Sequence, residues 1–127
     1  MFKANGASRK EIGDQAEARA LAHLERQGLS LVQRNYRVAR GPSARGGEVD
    51  LILRDRDGTL VFVEVRARAD ARFGGAAASI GHGKRQRIIY AARHYLLRLA
   101  TLPPCRFDVG TVDGDRIDWL PGAFDAG

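Results

Sequence analysis

The stretch from Gly47 to Arg66, GEVDLILRDRDGTLVFVEVR, constrains this chain more than any other. Two apolar runs flank a polar turn at Asp57-Gly58, the signature of a β-hairpin. Each run also carries acids. Asp50 follows Glu48 by two residues, and Glu64 sits inside Val61-Phe62-Val63-Glu64-Val65. Burying an unpaired carboxylate costs several kcal/mol or a shifted pKa, so acids in valine-rich strands need a reason. The reading adopted is that they meet at one place and hold a divalent metal.

Strand alternation then sets the expected faces. Glu48, Asp50 and Ile52 share one face, opposite Val49, Leu51 and Leu53. Phe62, Glu64 and Arg66 share another, opposite Val61, Val63 and Val65. The hairpin is expected to turn an apolar face to the core and a carboxylate face to a cleft. Asp50, Glu64 and the carbonyl of Val65 would supply oxygen ligands for Mg²⁺ or Mn²⁺, with water and a phosphate completing the shell. Arg66, two residues after Glu64, is placed to orient water or offset charge on the phosphate.

Around this hairpin the pattern predicts helix, three strands, helix, two strands. Ser8 and Glu11 form a capping box for a helix from about Arg9 to Gln27, with Ile12, Ala16, Ala20 and Leu24 as its apolar stripe. Glu17 lies on the apolar side; it is either an edge acid paired with a neighbouring arginine or a third carboxylate directed at the site. Leu29 to Val38 reads as a strand whose Arg34 and Arg37 either line a nucleic-acid surface or face solvent. Residues 39 to 47 are a glycine- and arginine-rich loop, containing Arg45, and residues 68 to 83 are a second loop that begins at Arg68. A helix follows from about Lys84 to Ala100, stopped by Pro103-Pro104. Lys84 and Arg85 in its first turn project toward the stripe side. Arg106 to Val112 and Arg116 to Leu120 complete the strands, and the last residues read as a tail. Cys105 and Trp119 are expected in the core, as is Phe124.

The chain of 127 residues suits one domain, with a core over about residues 9 to 120. Its formal charge of +6 and its excess of arginine favour a polyanionic partner. No run approaches the roughly 18 to 20 apolar residues of a membrane span, and the first residues lack a secretory core. A cytoplasmic location is expected. Cys105 is the single cysteine, which excludes an internal disulfide and a cysteine zinc cluster. His23, His82 and His94 have no ligand spacing. Asp113, Asp115 and Asp118 mark a turn.

These residues resemble a known family. Gly13, Glu17 and Ala20, then Gly28, Arg34-Asn35, Gly47-Glu48-Val49-Asp50-Leu51, Phe62-Val63-Glu64-Val65, Arg68, Phe73-Gly74, Lys84 and Phe107-Asp108-Val109 are similar to the YraN-type bacterial proteins. Those are related to Holliday-junction resolvases of the PD-(D/E)xK nuclease superfamily. The resemblance implies a restriction-endonuclease-like three-layer sandwich, with a central mixed β-sheet flanked by helices. It implies a Mg²⁺-dependent endonuclease acting on nucleic acid, DNA over RNA and branched forms among its substrates, with a homodimer as the assembly of its relatives. Asp50 and Glu64 match the metal carboxylates, Glu17 a helical acid, Glu48 a supporting acid, and Lys84 a position heading the second helix. Arg34, Arg37, Arg45, Arg68, Lys84 and Arg85 are the candidate nucleic-acid contacts. The family usually has lysine where this chain has Arg66. Arginine does not release its proton, so either Lys84 supplies the amine in space or the chain binds nucleic acid without cutting it. A third reading, a scaffold, has the acids merely pairing with the many arginines.

Overall fold

The computed structural model describes residues 8–41, 45–67 and 80–126. Arg68, Phe73-Gly74 and the rest of the loop expected from residue 68 as far as residue 79 lie outside the described residues. The elements are α1 (Arg9–Arg26), β1 (Ser30–Val38), β2 (Gly47–Arg54), β3 (Leu60–Ala67), α2 (His82–Leu96), β4 (Cys105–Asp113) and β5 (Arg116–Phe124).

The strands form one sheet in the order β1-β2-β3-β4-β5. β3 and β4 run parallel, while the other neighbours are antiparallel. A parallel pair needs a crossover, and α2 lies in it. α1 packs on one face with Leu51, Leu53, Val61, Val63 and Val112. On the other face α2 packs with Val49, Ile52, Phe62 and Phe107. The result is the expected α/β three-layer sandwich of restriction-endonuclease-like form. Among the described residues, no helix is long and apolar enough to cross a membrane.

Local chemistry sets the ends of these elements. Ser8 Oγ accepts from the Glu11 amide, and Glu11 returns a bond to the Ser8 amide, closing the capping box. Gly58, at φ +91°, makes the β2–β3 turn, where a side chain would be strained. A Cβ on Gly47 would collide with the Arg87 carbonyl and the Ala91 amide. Only glycine lets β2 pass this close to α2.

Several expectations need correction. The hairpin does not divide into an apolar face and a carboxylate face. Val49 packs with Ile52 against α2, whereas Leu51 and Leu53 pack against α1. Alternation is therefore broken between Asp50 and Leu51, and Ile52 does not share a face with Asp50. The β2–β3 ladder ends at Leu51 opposite Val63, so the strands part just before the acids. Both faces of the hairpin are core near the turn, and the acids lie at its open end.

α2 stops at Leu96 instead of Ala100. Arg98 and Leu99 donate to carbonyls three residues back, tightening the exit that leads to Pro103-Pro104. The Pro104 carbonyl then accepts from Leu60 and starts the parallel ladder. Ile12 and Cys105 are exposed, not core. Ile12 borders a cleft, and Cys105 begins β4, ahead of the strand's buried run. β5 continues past Pro121-Gly122 to Phe124, whose ring stacks on Phe107 at 5.0 Å. Trp119 packs against the α1-side core. Asp108 makes the longer strand feasible. Fully buried, it accepts from Arg106, from Trp119 Nε1 at 2.8 Å and from the Gly122 amide at 2.9 Å. It ties down the irregularity that Pro121-Gly122 forces on the β4–β5 register.

Candidate active site

Where β2 and β3 part, side chains replace the ladder. The Val65 amide donates to Asp50 Oδ2 at 2.8 Å. The Asp50 and Glu64 carboxyl groups lie close enough to act on each other's charge. Glu64 is 4% exposed, and its Oε1 is buried without a hydrogen-bond partner. Burial, then the neighbouring Asp50 charge, push the Glu64 carboxyl up to about 8, against the pull of Lys84 and Arg66. Burial also raises Asp50, opposed by the Val65 amide. Glu64 therefore favours its protonated form at neutral pH, as one of two close like charges does.

The acids open into a cleft of about 650 Å³, lined by Arg9, Ile12, Gly13, Ala16, Glu17, Asp50, Glu64, Val65, Arg66 and Ala67. A second hollow of about 330 Å³ shares Gly13, Glu17 and Asp50 and adds Asn35, Arg37 and Glu48. A Cβ on Gly13 would meet no protein atom. Gly costs roughly 0.5–1 kcal/mol relative to alanine inside a helix, and no protein contact here demands it. The room it leaves belongs to the cleft.

The surrounding charges come from five elements. From α1 comes Glu17, an acid at the edge of the apolar stripe that is paired with a neighbouring arginine. It lines the cleft and lies 3.6 Å from Arg34 Nη2 of β1. Burial and Asp50 raise its carboxyl, while Arg34 and an Asn35 hydrogen bond lower it. From α2, Lys84 Nζ sits 3.7 Å from Glu64 Oε2 and 3.7 Å from Glu48 Oε1. Glu48 also accepts from Arg87 at 3.0 Å and lies 3.9 Å from the exposed Arg37. Arg66 reaches the cleft from β3.

Other residues depart from the expectation. Arg85 turns away from the acids: its Nε donates to the Ile80 carbonyl, and its guanidinium lies 5.4 Å over the Phe124 ring. Arg45 is exposed on the approach to β2. Three contributors were given no site role in the sequence reading. Asn35 has φ +50° and stands opposite Asp50 in the β1–β2 register. Asparagine inside a strand is a readable signal, because it is disfavoured there and tolerates left-handed backbone. Arg9 lines the cleft and Arg87 holds Glu48. Neither follows from spacing alone.

The profile of the Uncharacterised protein family UPF0102 matches residues 16–112, spanning both carboxylates, Lys84 and Asp108. The chain belongs to this family. Its YraN-type character, read above from scattered motifs, is thus established. A UPF0102 protein of Methylibium petroleiphilum is 65% identical over 117 residues, covering 92% of this chain and 96% of its own. One from Paracidovorax citrulli is 62% identical over 126 residues, covering 96% and 91%. A third, from Cupriavidus taiwanensis, is 60% identical over 119 residues, covering 94% and 86%. Each is close to this UPF0102 chain in length as well as sequence.

The donor set of this UPF0102 site suits a hard divalent ion. Among the described residues, no three His, Cys, Asp or Glu side chains gather round one point. Two carboxylates do meet, one with a buried, unpartnered oxygen. Mg²⁺ commonly binds through one or two carboxylates, keeping waters and phosphate oxygens for the rest. A carboxyl that favours its proton is also a site at which a cation can replace the proton.

Proposed function

We propose that this protein is a Mg²⁺- or Mn²⁺-dependent endonuclease acting on DNA, with branched or flapped structures as its substrates. One observation carries the reading. Asp50 and Glu64, from strands that have separated, line one cleft, with the Lys84 ammonium 3.7 Å from Glu64. Asp50, Glu64 and the Val65 carbonyl would hold the ion. When bound, a divalent cation polarises a phosphodiester and lowers the pKa of its water.

The chain's own groups have separate tasks. Lys84 offsets the negative charge of Glu64 and Glu48. Arg66 retains its charge at any relevant pH, so it orients and neutralises without shuttling protons. Glu17 and Asn35 steady the Asp50 side of the cleft, while Arg34 and Arg37 meet phosphates at its rim. Cutting both strands of a branch would take two copies of the site, so a homodimer belongs to the same proposal.

The test is cleavage of a labelled flap or four-way junction in Mg²⁺. Cleavage should vanish in EDTA and in Asp50→Asn and Glu64→Gln proteins. Activity that survives both substitutions would refute the assignment. Arg66 in place of the usual lysine supports a second reading, nucleic-acid binding without cleavage. That reading predicts salt-sensitive binding and no product at any divalent concentration.

A further inference from the structure

Between Asp70 and Asp108 the sequence contains no acid, yet it holds seven Lys and Arg residues. Most of the described part of this interval is α2 and its exit. Lys84, Arg85, Arg87 and Arg93 lie within α2, three of them close to its N-terminus. Cations there oppose the helix dipole, so helix stability does not explain them. Burial leaves one stripe of α2 uncovered. Ile88, Ile89, Ala91, Ala92 and Tyr95 face the sheet, whereas Tyr90 and His94 are half-buried and Arg93 and Leu97 are exposed. Arg87, Tyr90, His94 and Leu97 follow one another at spacings of three and four, hence along one face.

This face combines charge with π surface. The Tyr90 and His94 rings lie 4.6 Å apart. Arg40, exposed just beyond β1, places its guanidinium 5.1 Å over Tyr90. The stripe begins beside the candidate active site, where Lys84 touches Glu64 and Arg87 holds Glu48.

We propose that this face of α2, with Arg40 beside it, is a docking platform for single-stranded nucleic acid: bases stack on Tyr90 and phosphates lie on Arg93 and on Arg40 once it is displaced. The platform builds on the nucleic-acid reading above but does not need cleavage. Charge complementarity selects a polyanion. The rings select an unpaired strand, because a duplex keeps its base faces covered. Arg40 does not block the ring. An exposed cation–π contact is weaker than base–aromatic stacking, so a base displaces the guanidinium, which then turns to phosphate. A flap or unpaired arm would run from the carboxylates along α2.

The experiment is fluorescence anisotropy of a short labelled oligothymidylate and of an equally long duplex, both in EDTA. Tyr90→Leu, which keeps an apolar side chain against the helix, should weaken single-strand binding about tenfold. It should leave duplex binding within about twofold, and Tyr90→Phe should bind like the parent. Arg93→Ala should reduce the salt dependence of single-strand binding. Unchanged single-strand affinity in Tyr90→Leu would overturn the platform, as would equal losses on single strand and duplex. Loss of binding in Tyr90→Leu, together with a parent that never cleaves, would keep the platform and reject the nuclease. Unaltered binding with cleavage dependent on Asp50 would do the reverse.

Discussion

The Lys84 ammonium lies 3.7 Å from Glu64 Oε2, although twenty positions of chain separate the two residues. It brings an amine from α2 to a buried carboxylate of β3. This predicts unequal mutants. Lys84→Ala should lower divalent-dependent cleavage by about 10²-fold or more, the usual scale for losing a charge-stabilising group. Arg66→Lys should change it less than about tenfold. Steady-state rates on a flap substrate measure both, and the opposite ranking would return the role to position 66.

The raised carboxyl of Glu64 predicts a pH dependence. Glu64 titrates at about 8 in the folded chain and near 4.5 as a free side chain. The folded state thus binds the extra proton between these values, and stability from this group falls as pH rises from 4.5 to 8. Thermal melts should show Glu64→Gln matching the parent near pH 4.5 and exceeding it in Tm near pH 8.5. A divalent ion must expel the same proton. Mn²⁺ binding to the parent should tighten as pH rises toward 8, with proton release detectable by calorimetry in buffers of different ionisation enthalpy.

Gly13 predicts a trade between stability and function. Alanine should stabilise α1 by roughly 0.5–1 kcal/mol, because its Cβ meets no protein atom. The same methyl group enters both hollows beside Asp50. Denaturant unfolding should report the gain, and cleavage kinetics should report a higher KM.

Asp108 supports the fold away from the cleft. Asp108→Ala removes the partner of buried Arg106 contacts, the Trp119 indole and the Gly122 amide. Breaking one side of a buried pair typically costs about 3–5 kcal/mol. Urea titration should show a loss of that order, and Asp108→Asn should recover part of it.

Much of this was legible because local chemistry agreed with tertiary structure. The Asp57-Gly58 turn, the Ser8–Glu11 box and the valine-rich runs each specify their element without help from distant residues. The acids were legible as anomalies within those runs. What stayed hidden depends on register. Alternation alone could not reveal that Val49 and Leu51 lie on opposite sides of the sheet, because their phase breaks where the ladder ends. Asn35 becomes a site residue only once β1 is paired opposite Asp50. Lys84 and Arg85 read alike as neighbours, yet helical rotation sends one to Glu64 and the other to Phe124. Asp108 looked unremarkable between Phe107 and Val109, since its partners come from Trp119 and Gly122, further along the chain.

The parting of β2 and β3 has a mechanical consequence. Each tip stays paired on its outer side, β2 with β1 as far as Gly47 and β3 with β4 as far as Ala67, and the Val65 amide bridges the gap to Asp50. Two like charges between such braced arms cannot relieve their repulsion by moving apart. A proton or a cation between them is the remaining way to relieve it. The fork is thus a rigid frame that holds two carboxyl groups closer than their charges favour.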